Sequence, residues 1–263
     1  MSPRTSSPIL CVIALCVAHA AAAQTAPSVP QPSPWSLEII SQRAPVTNYG
    51  IHDTWATDGI QATWVRPEKA GWFVVVQRQR RYGLVDSTAL TQGYYRTRNW
   101  TVLGAVGGTP DAHFLYRFTA GGEISRRVAG TSVGSFGYHY FRFPGGDVQQ
   151  LQPGFTWYHA SGEIQAVGFI TRKSMFDQTT GAAMVRASHQ LTKRLRLAGG
   201  VAYGDRIFDI ASLSAPTAHS RLAFGDIRIG FTAHDFMLAG VSVAHEEPAF
   251  TYRSFSIGYR RGF

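Results

Sequence analysis

The sequence predicts an all-β fold, a closed antiparallel transmembrane β-barrel of about 14 strands. Three observations lead to this prediction. Apolar and polar residues alternate along the chain after Trp35, the period that indicates strands with two different faces. The alternating segments run for roughly 10 to 13 residues, longer than most globular strands and long enough for a tilted strand to cross a bilayer. Aromatic residues gather near segment ends, as in Trp72-Phe73, Tyr94-Tyr95 and Trp157-Tyr158, where interfacial girdles lie in such barrels.

The number of predicted strands comes from counting the alternating segments along the chain. In 149–159, Leu151, Phe155 and Trp157 share one face, and glutamine, glycine and threonine occupy the other. Strand 35–43 (WSLEIISQR) is the least regular, and losing it with its neighbour gives the alternative of 12 strands. The predicted strands are 35–43, 55–66, 71–82, 86–97, 99–107, 117–128, 131–142, 147–159, 163–174, 180–190, 194–204, 219–232, 236–246 and 251–263.

The predicted connections sort onto two sides. The three longest, 44–54, 108–116 and 205–218, all fall on one side, as the outer loops of bacterial barrels do. The opposite side has only tight turns and both ends of the sheet. A strand in a bilayer must have its backbone groups paired, so the first and last strands are expected to close the sheet on each other.

The first residues have the pattern of a cleaved signal peptide. Arg4 is followed by an apolar run that ends in alanines before Gln24, so we expect residues 1–23 to be a secretory signal. Residues 24–34 (QTAPSVPQPSP) are rich in proline and predict a periplasmic spacer before a barrel at 35–263. Cys11 and Cys16 both lie in the signal, so the mature chain has no disulfide and no thiolate metal site. The expected location is the bacterial outer membrane.

The composition is basic but does not indicate a nucleic-acid partner. Arg4 is the one basic residue of the predicted signal, so 24 of the 25 Lys and Arg residues remain against 16 Asp and Glu. This charge favours anionic partners in general. No block of Lys and Arg and no nucleic-acid motif is present, so we expect none of those ligands.

Two stretches carry a resemblance to a known family. The block 138–158 (YHYFRFPGGDVQQLQPGFTWY) and the closing FSIGYRRGF resemble the YaiO-type outer-membrane β-barrel family over residues 35–263. In that family a strand rich in aromatics and arginine turns through an acidic loop into a strand with Pro-Gly. The positions that match are Tyr140, Arg142, Asp147, Pro153, Gly154 and Tyr158. The resemblance implies an outer-membrane location.

The last strand also resembles the C-terminal signature of outer-membrane proteins. Phe255, Ile257, Tyr259 and Phe263 lie on one face and end in an aromatic residue. The resemblance implies recognition by the barrel-assembly machinery during insertion. Lipid and lipopolysaccharide of the outer membrane are the other expected partners.

Four motifs resemble catalytic or metal sites but lack the arrangement that such sites need. Residues 130–134 (GTSVG) match a nucleophile pattern around Ser132, but that pattern needs a following helix and here a strand follows. Ser188-His189 and Ser220-His219 are adjacent pairs, whose side chains point to opposite faces of a strand. His245-Glu246-Glu247 is an unspecific cation pattern in a predicted loop. We therefore expect no enzyme, metal or cofactor, with a barrel lipid hydrolase as the least favoured function.

Charged residues on the polar face of the strands give the main functional hypothesis. Ionisable groups at membrane depth usually face a cavity. The predicted lumen-lining arginines are Arg78, Arg80, Arg117, Arg127, Arg196, Arg228 and Arg260, and the predicted lumen acids are Glu123 and Asp226. The excess of arginine predicts a porin-like or export-associated passage for anionic solutes or polymers. The alternative is a structural or surface-interaction barrel with a filled lumen and no transport.

Overall fold

The computed structural model describes residues 34–263 apart from 67–68, 175–176, 206–218, 233 and 248–249. The chain forms one closed antiparallel barrel in which each strand pairs with its sequence neighbours and β1 pairs with β14. Within the described ranges no helix is long and apolar enough to cross a membrane. The predicted signal peptide at 1–23 and nearly all of the predicted spacer lie outside the described residues.

The predicted closed barrel and its number of strands are confirmed. The strands are β1 Trp35–Asn48, β2 Ile51–Arg66, β3 Ala70–Arg81, β4 Leu84–Arg96, β5 Trp100–Gly108, β6 Phe118–Ala129, β7 Ser132–Phe143, β8 Gly146–His159, β9 Gly162–Lys173, β10 Gln178–Thr192, β11 Leu195–Asp205, β12 His219–Gly230, β13 Asp235–Glu246 and β14 Phe250–Gly262. We call the end where β1 begins and β14 finishes the terminal end, and the opposite end the loop end.

The two faces of the sheet differ in chemistry along almost every strand. Large apolar side chains are exposed on the outer face, for example in the register row Ile39, Ile60 and Val76. The inner face carries buried Gln, Thr and Ser together with charged residues. An apolar belt around a whole barrel is far larger than the patches that water-soluble monomers expose. The outer surface is therefore suited to lipid.

Aromatic side chains concentrate where the apolar belt ends near the chain termini. Trp35 and Trp72 meet edge to face with ring centroids 5.8 Å apart, and Tyr95, Trp100 and Trp157 are also exposed on the outer face. Indole and phenol groups prefer the boundary between hydrocarbon and water. This girdle marks one membrane interface near the terminal end.

One hairpin at the loop end is tighter than the sequence suggested, and a second hairpin has the same turn. The predicted loop 44–54 is wrong, because β1 and β2 continue to a two-residue turn at Tyr49-Gly50. Both turn residues have positive φ (47° and 79°), and Tyr82-Gly83 repeats this geometry at 48° and 78°. Two left-handed residues form the hairpin turn whose twist matches the strands it joins. Glycine at the second position allows this conformation, so the strands stay paired to their ends.

The last strand closes the sheet as predicted. Ile39 lies opposite Tyr259 and Ser41 lies opposite Ile257 in the β1–β14 register. The pairing continues past β14, where the Phe263 N–H donates to the Trp35 carbonyl at 3.1 Å. The backbone of the sheet is thus paired to its final residue.

Deleting Phe263 is expected to reduce barrel assembly far more than a one-residue truncation normally would. The deletion removes the last closing hydrogen bond and the terminal aromatic on the outer face. The measurement is the amount of heat-modifiable, folded protein in the membrane fraction of cells. Phe263→Tyr keeps the aromatic ring and is the matched control, expected to assemble normally. Normal membrane levels of the deletion variant would refute the assembly role.

Candidate functional site: the barrel lumen

The inner face of the barrel is divided along its axis. Apolar and aromatic side chains occupy the half next to the loop end, and a charged belt occupies the half next to the terminal end. Most of the buried hydrophobic residues of the described chain belong to one cluster, the outer cluster, which lies inside the barrel rather than around it. Its members include Trp55, Phe114, Leu115, Tyr116, Phe141, Phe143, Val148, Phe250 and Tyr252.

The connection 109–117 contributes the centre of the outer cluster. Instead of projecting into solvent, it places Phe114, Leu115 and Tyr116 inside the barrel, and Leu115 is 0% exposed. One carboxylate holds this segment. Asp86 on β4 accepts hydrogen bonds from the backbone N–H groups of His113, Phe114 and Leu115 at 3.0, 3.0 and 2.8 Å. We call the segment with its carboxylate the latch.

The latch has a side-chain component as well. The His113 ring Nδ1 lies 2.9 Å from Asp86 Oδ1, and the aspartate is fully enclosed while the imidazole is half exposed. A carboxylate satisfied by several backbone donors is a strong and directional anchor. The segment is therefore fixed at its middle as well as at its two ends.

A buried arginine joins the latch to the other side chains at the loop end of the lumen, which we call the mouth. The Arg81 guanidinium lies 4.7 Å from the ring centroid of Trp55 and 5.0 Å from that of Phe114. Its Nη2 donates to Gln79 Oε1 at 2.9 Å, and both side chains are buried. Cation–π contacts of a desolvated guanidinium contribute on the order of 2 kcal/mol each. Among the described residues, side chains therefore pack the lumen at its loop end.

The charged belt begins on strands β9 to β12. Arg196 Nη2 lies 3.2 Å from Glu163 Oε1 and donates to Ser188 Oγ at 2.7 Å. Arg186 is buried beside them, with its Nη2 3.9 Å from Asp226 Oδ2. The Asp226 side chain faces inward yet remains 43% exposed, so side chains do not fill this part of the lumen completely.

The belt continues around the wall through β12, β13, β14 and β1. The Arg228 guanidinium lies 3.8 Å from the centroid of the Phe236 ring. Arg260 lies opposite Phe236 on one side and opposite buried Glu38 on the other, and its Nε donates to Ser36 Oγ at 3.0 Å. We define the charged belt as Glu38, Glu163, Arg186, Arg196, Asp226, Arg228 and Arg260.

The structure brings together part of the predicted lumen set. Arg196, Arg228, Arg260 and Asp226 belong to the charged belt. Glu123 also faces inward, paired with Gly137 in the β6–β7 register, but it lies on the opposite wall. These positions follow the alternation from which they were predicted.

Four predicted lumen arginines lie elsewhere. Arg78 and Arg80 are exposed on the outer face, because the alternation that places Val76 outside and Gln79 inside continues through them. Arg117 precedes β6 at the rim of the loop end, where its N–H donates to the Arg142 carbonyl at 2.6 Å. Arg127 is on the inward face but is exposed at the terminal rim.

Sequence reasoning missed Glu38, Glu163 and Arg186, which complete the belt. With them the belt holds four arginines and three carboxylates, one net positive charge rather than the large excess that was predicted. Glu38 was detectable, since it alternates with Leu37 and Ile39. Glu163 lies inside the predicted strand 163–174, where it alternates with Ile164, and was detectable in the same way.

In the motifs that resembled reactive sites, the sheet places neighbouring side chains on opposite faces. Ser188 faces inward and His189 contacts Ser161 on the other face. Glu246 is buried beside Ser220, whereas His245 contacts Thr251 outside. Residues 130–134 form the turn into β7 and its first residues. In the described part of the chain, no three His, Cys, Asp or Glu side chains are grouped to hold a metal.

Comparison with solved structures identifies the class of fold. The translocator domain of the autotransporter NalP from Neisseria meningitidis superimposes with a TM-score of 0.57 at 11% identity, covering 96% of this chain and 95% of that one. The CymD monoaromatic hydrocarbon channel gives 0.57 at 8% identity, with 87% and 88% covered. Omp33 of Acinetobacter baumannii gives 0.52 at 12% identity, with 87% and 98% covered.

These similarities establish that the chain has the fold of bacterial outer-membrane β-barrels, here with 14 strands. No protein-family model matches the sequence, and no curated protein matches it either.

Proposed function

We propose that the protein is an outer-membrane barrel forming a gated, porin-like passage, closed at its outer mouth by the latch. One observation carries the proposal. A segment of 109–117 lies inside the lumen and is held there by Asp86, while the other half of the lumen has a charged wall on which Asp226 stays 43% exposed. The loop end faces the outside of the cell in this proposal. Release of one anchor would then open the mouth.

The charged belt supports a preference for anionic solutes or polymers, although a modest one. Its four arginines exceed its three carboxylates by one charge, and each of the carboxylates lies beside an arginine. Rings of fixed charge inside a narrow pore attract ions of the opposite sign. The Arg228 guanidinium stacks on the ring of Phe236 rather than on a charged group. Arg228 is therefore the most direct contributor to this preference.

Replacing Asp86 by alanine is expected to convert a mostly silent barrel into a conducting one. Three charge-assisted hydrogen bonds are lost, and each 1.4 kcal/mol of lost closure energy raises the open fraction about tenfold. The measurement is single-channel conductance of the purified full chain in planar bilayers. Asp58→Ala removes an exposed carboxylate of the outer face and serves as the matched control, expected to stay silent.

Adding Arg228→Gln to Asp86→Ala should lower the preference of the conducting barrel for chloride over potassium.

A second function is favoured by the packing of the mouth. Leu115, Phe114 and Arg81 are enclosed as completely as the core of a soluble domain. A barrel whose lumen is filled in this way can be a structural or surface-interaction protein without transport. Silence of the Asp86→Ala variant and of a variant lacking residues 110–116 would support this function and refute the passage.

The family and the route of membrane insertion are proposed from the sequence. The YaiO-type family is proposed from block 138–158 and the closing strand, and insertion by the barrel-assembly machinery from the row that ends in Phe263. We propose no enzymatic activity. A lipid hydrolase at Ser132 remains the least favoured function, since Ser132 begins a strand.

A further inference from the structure

The outer face of β1 to β3 carries a cluster of arginines near the loop end. Arg43, Asp58, Arg78 and Arg80 are all exposed there, and we call them the arginine patch. This part of the surface was not expected from the sequence, which placed two of the arginines in the lumen. It belongs to neither the latch nor the charged belt.

The strand register fixes the layout of the patch. Arg43 and Arg80 both lie opposite Ala56, one on each side, so their Cα atoms are two strand spacings apart, about 10 Å. Asp58 lies opposite Arg78 in the neighbouring row. Ala56 is small and only 8% exposed, so the side chains around it cover the centre of the patch.

The patch has more positive charge than its own carboxylate can neutralise. Asp58 accepts from both Nη atoms of Arg43, at 2.9 and 3.3 Å, and from Ser41 Oγ at 2.7 Å. Within the described part of the chain, Arg78 and Arg80 make no hydrogen bond and no ion pair. Three guanidinium groups around one carboxylate leave two positive charges on a surface that borders lipid.

Three other arginines of the same rim each lie close to a carboxylate. Arg142 lies 3.6 Å from Asp147, Arg172 lies 2.9 Å from Asp177, and Arg221 lies 3.6 Å from Glu247. Each of these has a carboxylate of its own. Among the described residues Arg117 and Arg253 of this rim also make no ion pair, so what distinguishes β1 to β3 is the grouping of three arginines around one carboxylate.

Directly below the patch the surface is apolar. Ile39, Ile60 and Val76 form one register row and are 54%, 53% and 54% exposed. This row lies two residues from the row of Asp58 and Arg78, about 7 Å along the strand. Positive groups above an apolar strip match a ligand with an anionic head and hydrocarbon chains.

We propose that the arginine patch binds a phosphate of lipid A, the phosphorylated glycolipid that anchors lipopolysaccharide, with its acyl chains on the apolar row below. Guanidinium groups bind phosphate oxygens through paired N–H donors, and the apolar setting strengthens these bonds. Arg78 and Arg80 supply the unneutralised donors, and Arg43 is held in place by Asp58. The site is independent of whether the lumen conducts.

The test is native mass spectrometry of the full chain, purified in neutral detergent and titrated with bis-phosphorylated lipid A. The double variant Arg78→Gln, Arg80→Gln is expected to bind at least about tenfold more weakly. Arg126→Gln is the matched control and should bind like the parent, because Arg126 is an outward arginine at the terminal end, stacked 5.0 Å from the Trp100 ring. Heat-modifiable mobility confirms that each variant is folded.

Three further ligands separate the possible sources of the phosphate. Dephosphorylated lipid A and phosphatidylglycerol are expected to bind more weakly than bis-phosphorylated lipid A, and inorganic phosphate is expected not to displace the lipid. Equal binding of lipid A by the parent and the double variant would overturn the site. Equal binding of the dephosphorylated lipid or of phosphatidylglycerol, or displacement by inorganic phosphate, would overturn the assignment to lipid A.

Discussion

Replacing Glu163 by alanine is expected to lower the free energy of unfolding by about 3–5 kcal/mol, because it leaves a charged arginine inside the barrel without its carboxylate. The two side chains are 4% and 12% exposed, and Arg196 Nη2 lies 3.2 Å from Glu163 Oε1. Ser188, which donates to the same carboxylate oxygen, would lose that acceptor too. The measurement is urea unfolding of the barrel in lipid vesicles, followed by tryptophan fluorescence.

An exposed ion pair of the same barrel gives the matched control. Asp177 lies 2.9 Å from Arg172, but the two side chains are 84% and 65% exposed, so Asp177→Ala is expected to cost about 0–1 kcal/mol. A second comparison is Glu163→Leu with Arg196→Met, in which both charges are removed and much of the loss should be regained. Similar losses for Glu163→Ala and Asp177→Ala would show that the charged belt is hydrated rather than buried.

The strands were predictable because one face of the barrel obeys a strict rule. Every outward position in the apolar belt must suit hydrocarbon, so residues such as Phe255, Ile257 and Tyr259 recur with a period of two. This signal gave the number of strands and the pairing of β1 with β14. It also gave the inward positions of Arg196, Arg228 and Arg260.

The same rule fails where strands leave the apolar belt. At the loop end the outer face is no longer apolar, so the polarity of Arg78 and Arg80 no longer reveals which face they occupy. Continuing the count from Val76 places both outside, whereas judging them by polarity placed them inside. Strict phase is therefore the better guide, because the side-chain period of a strand does not change with its surroundings.

The latch could not be predicted because it depends on a tertiary contact. Asp86 and Leu115 are 29 residues apart, and the hydrogen bond joins a strand to a later connection. A signal was nevertheless present, since Phe114, Leu115 and Tyr116 form an apolar run inside a predicted outer loop. An exposed loop rarely contains such a run unless it packs against something.

The placement of the latch also explains the outer cluster. A barrel of this size encloses more space than short polar side chains can fill, and an inserted segment supplies the missing apolar volume. Trp55 and Arg81 pack against it from β2 and β3, and Phe141 and Phe143 from β7. Closure of the mouth and stability of the barrel are thereby expected to depend on the same residues.

Leu115→Ala is expected to lower the free energy of unfolding by about 2–5 kcal/mol, although the residue lies in a connection between strands. The side chain is fully buried in the outer cluster, so its truncation leaves a cavity that the surrounding sheet cannot collapse to fill. Urea unfolding in lipid vesicles measures the loss. Val128→Ala, at an exposed position of the terminal rim, is the matched control and should change the stability by less than about 0.5 kcal/mol.

The decisive comparison is a double-mutant cycle between Leu115→Ala and Asp86→Ala. Asp86 holds the Leu115 N–H at 2.8 Å, so once the carboxylate is gone the segment is already displaced and truncating its leucine should cost less. The coupling is expected to be about 0.5–3 kcal/mol, the range for residues that share a structural element. Strict additivity of the two losses would mean that the segment stays in the lumen without Asp86. The carboxylate would then not be what holds the latch in place.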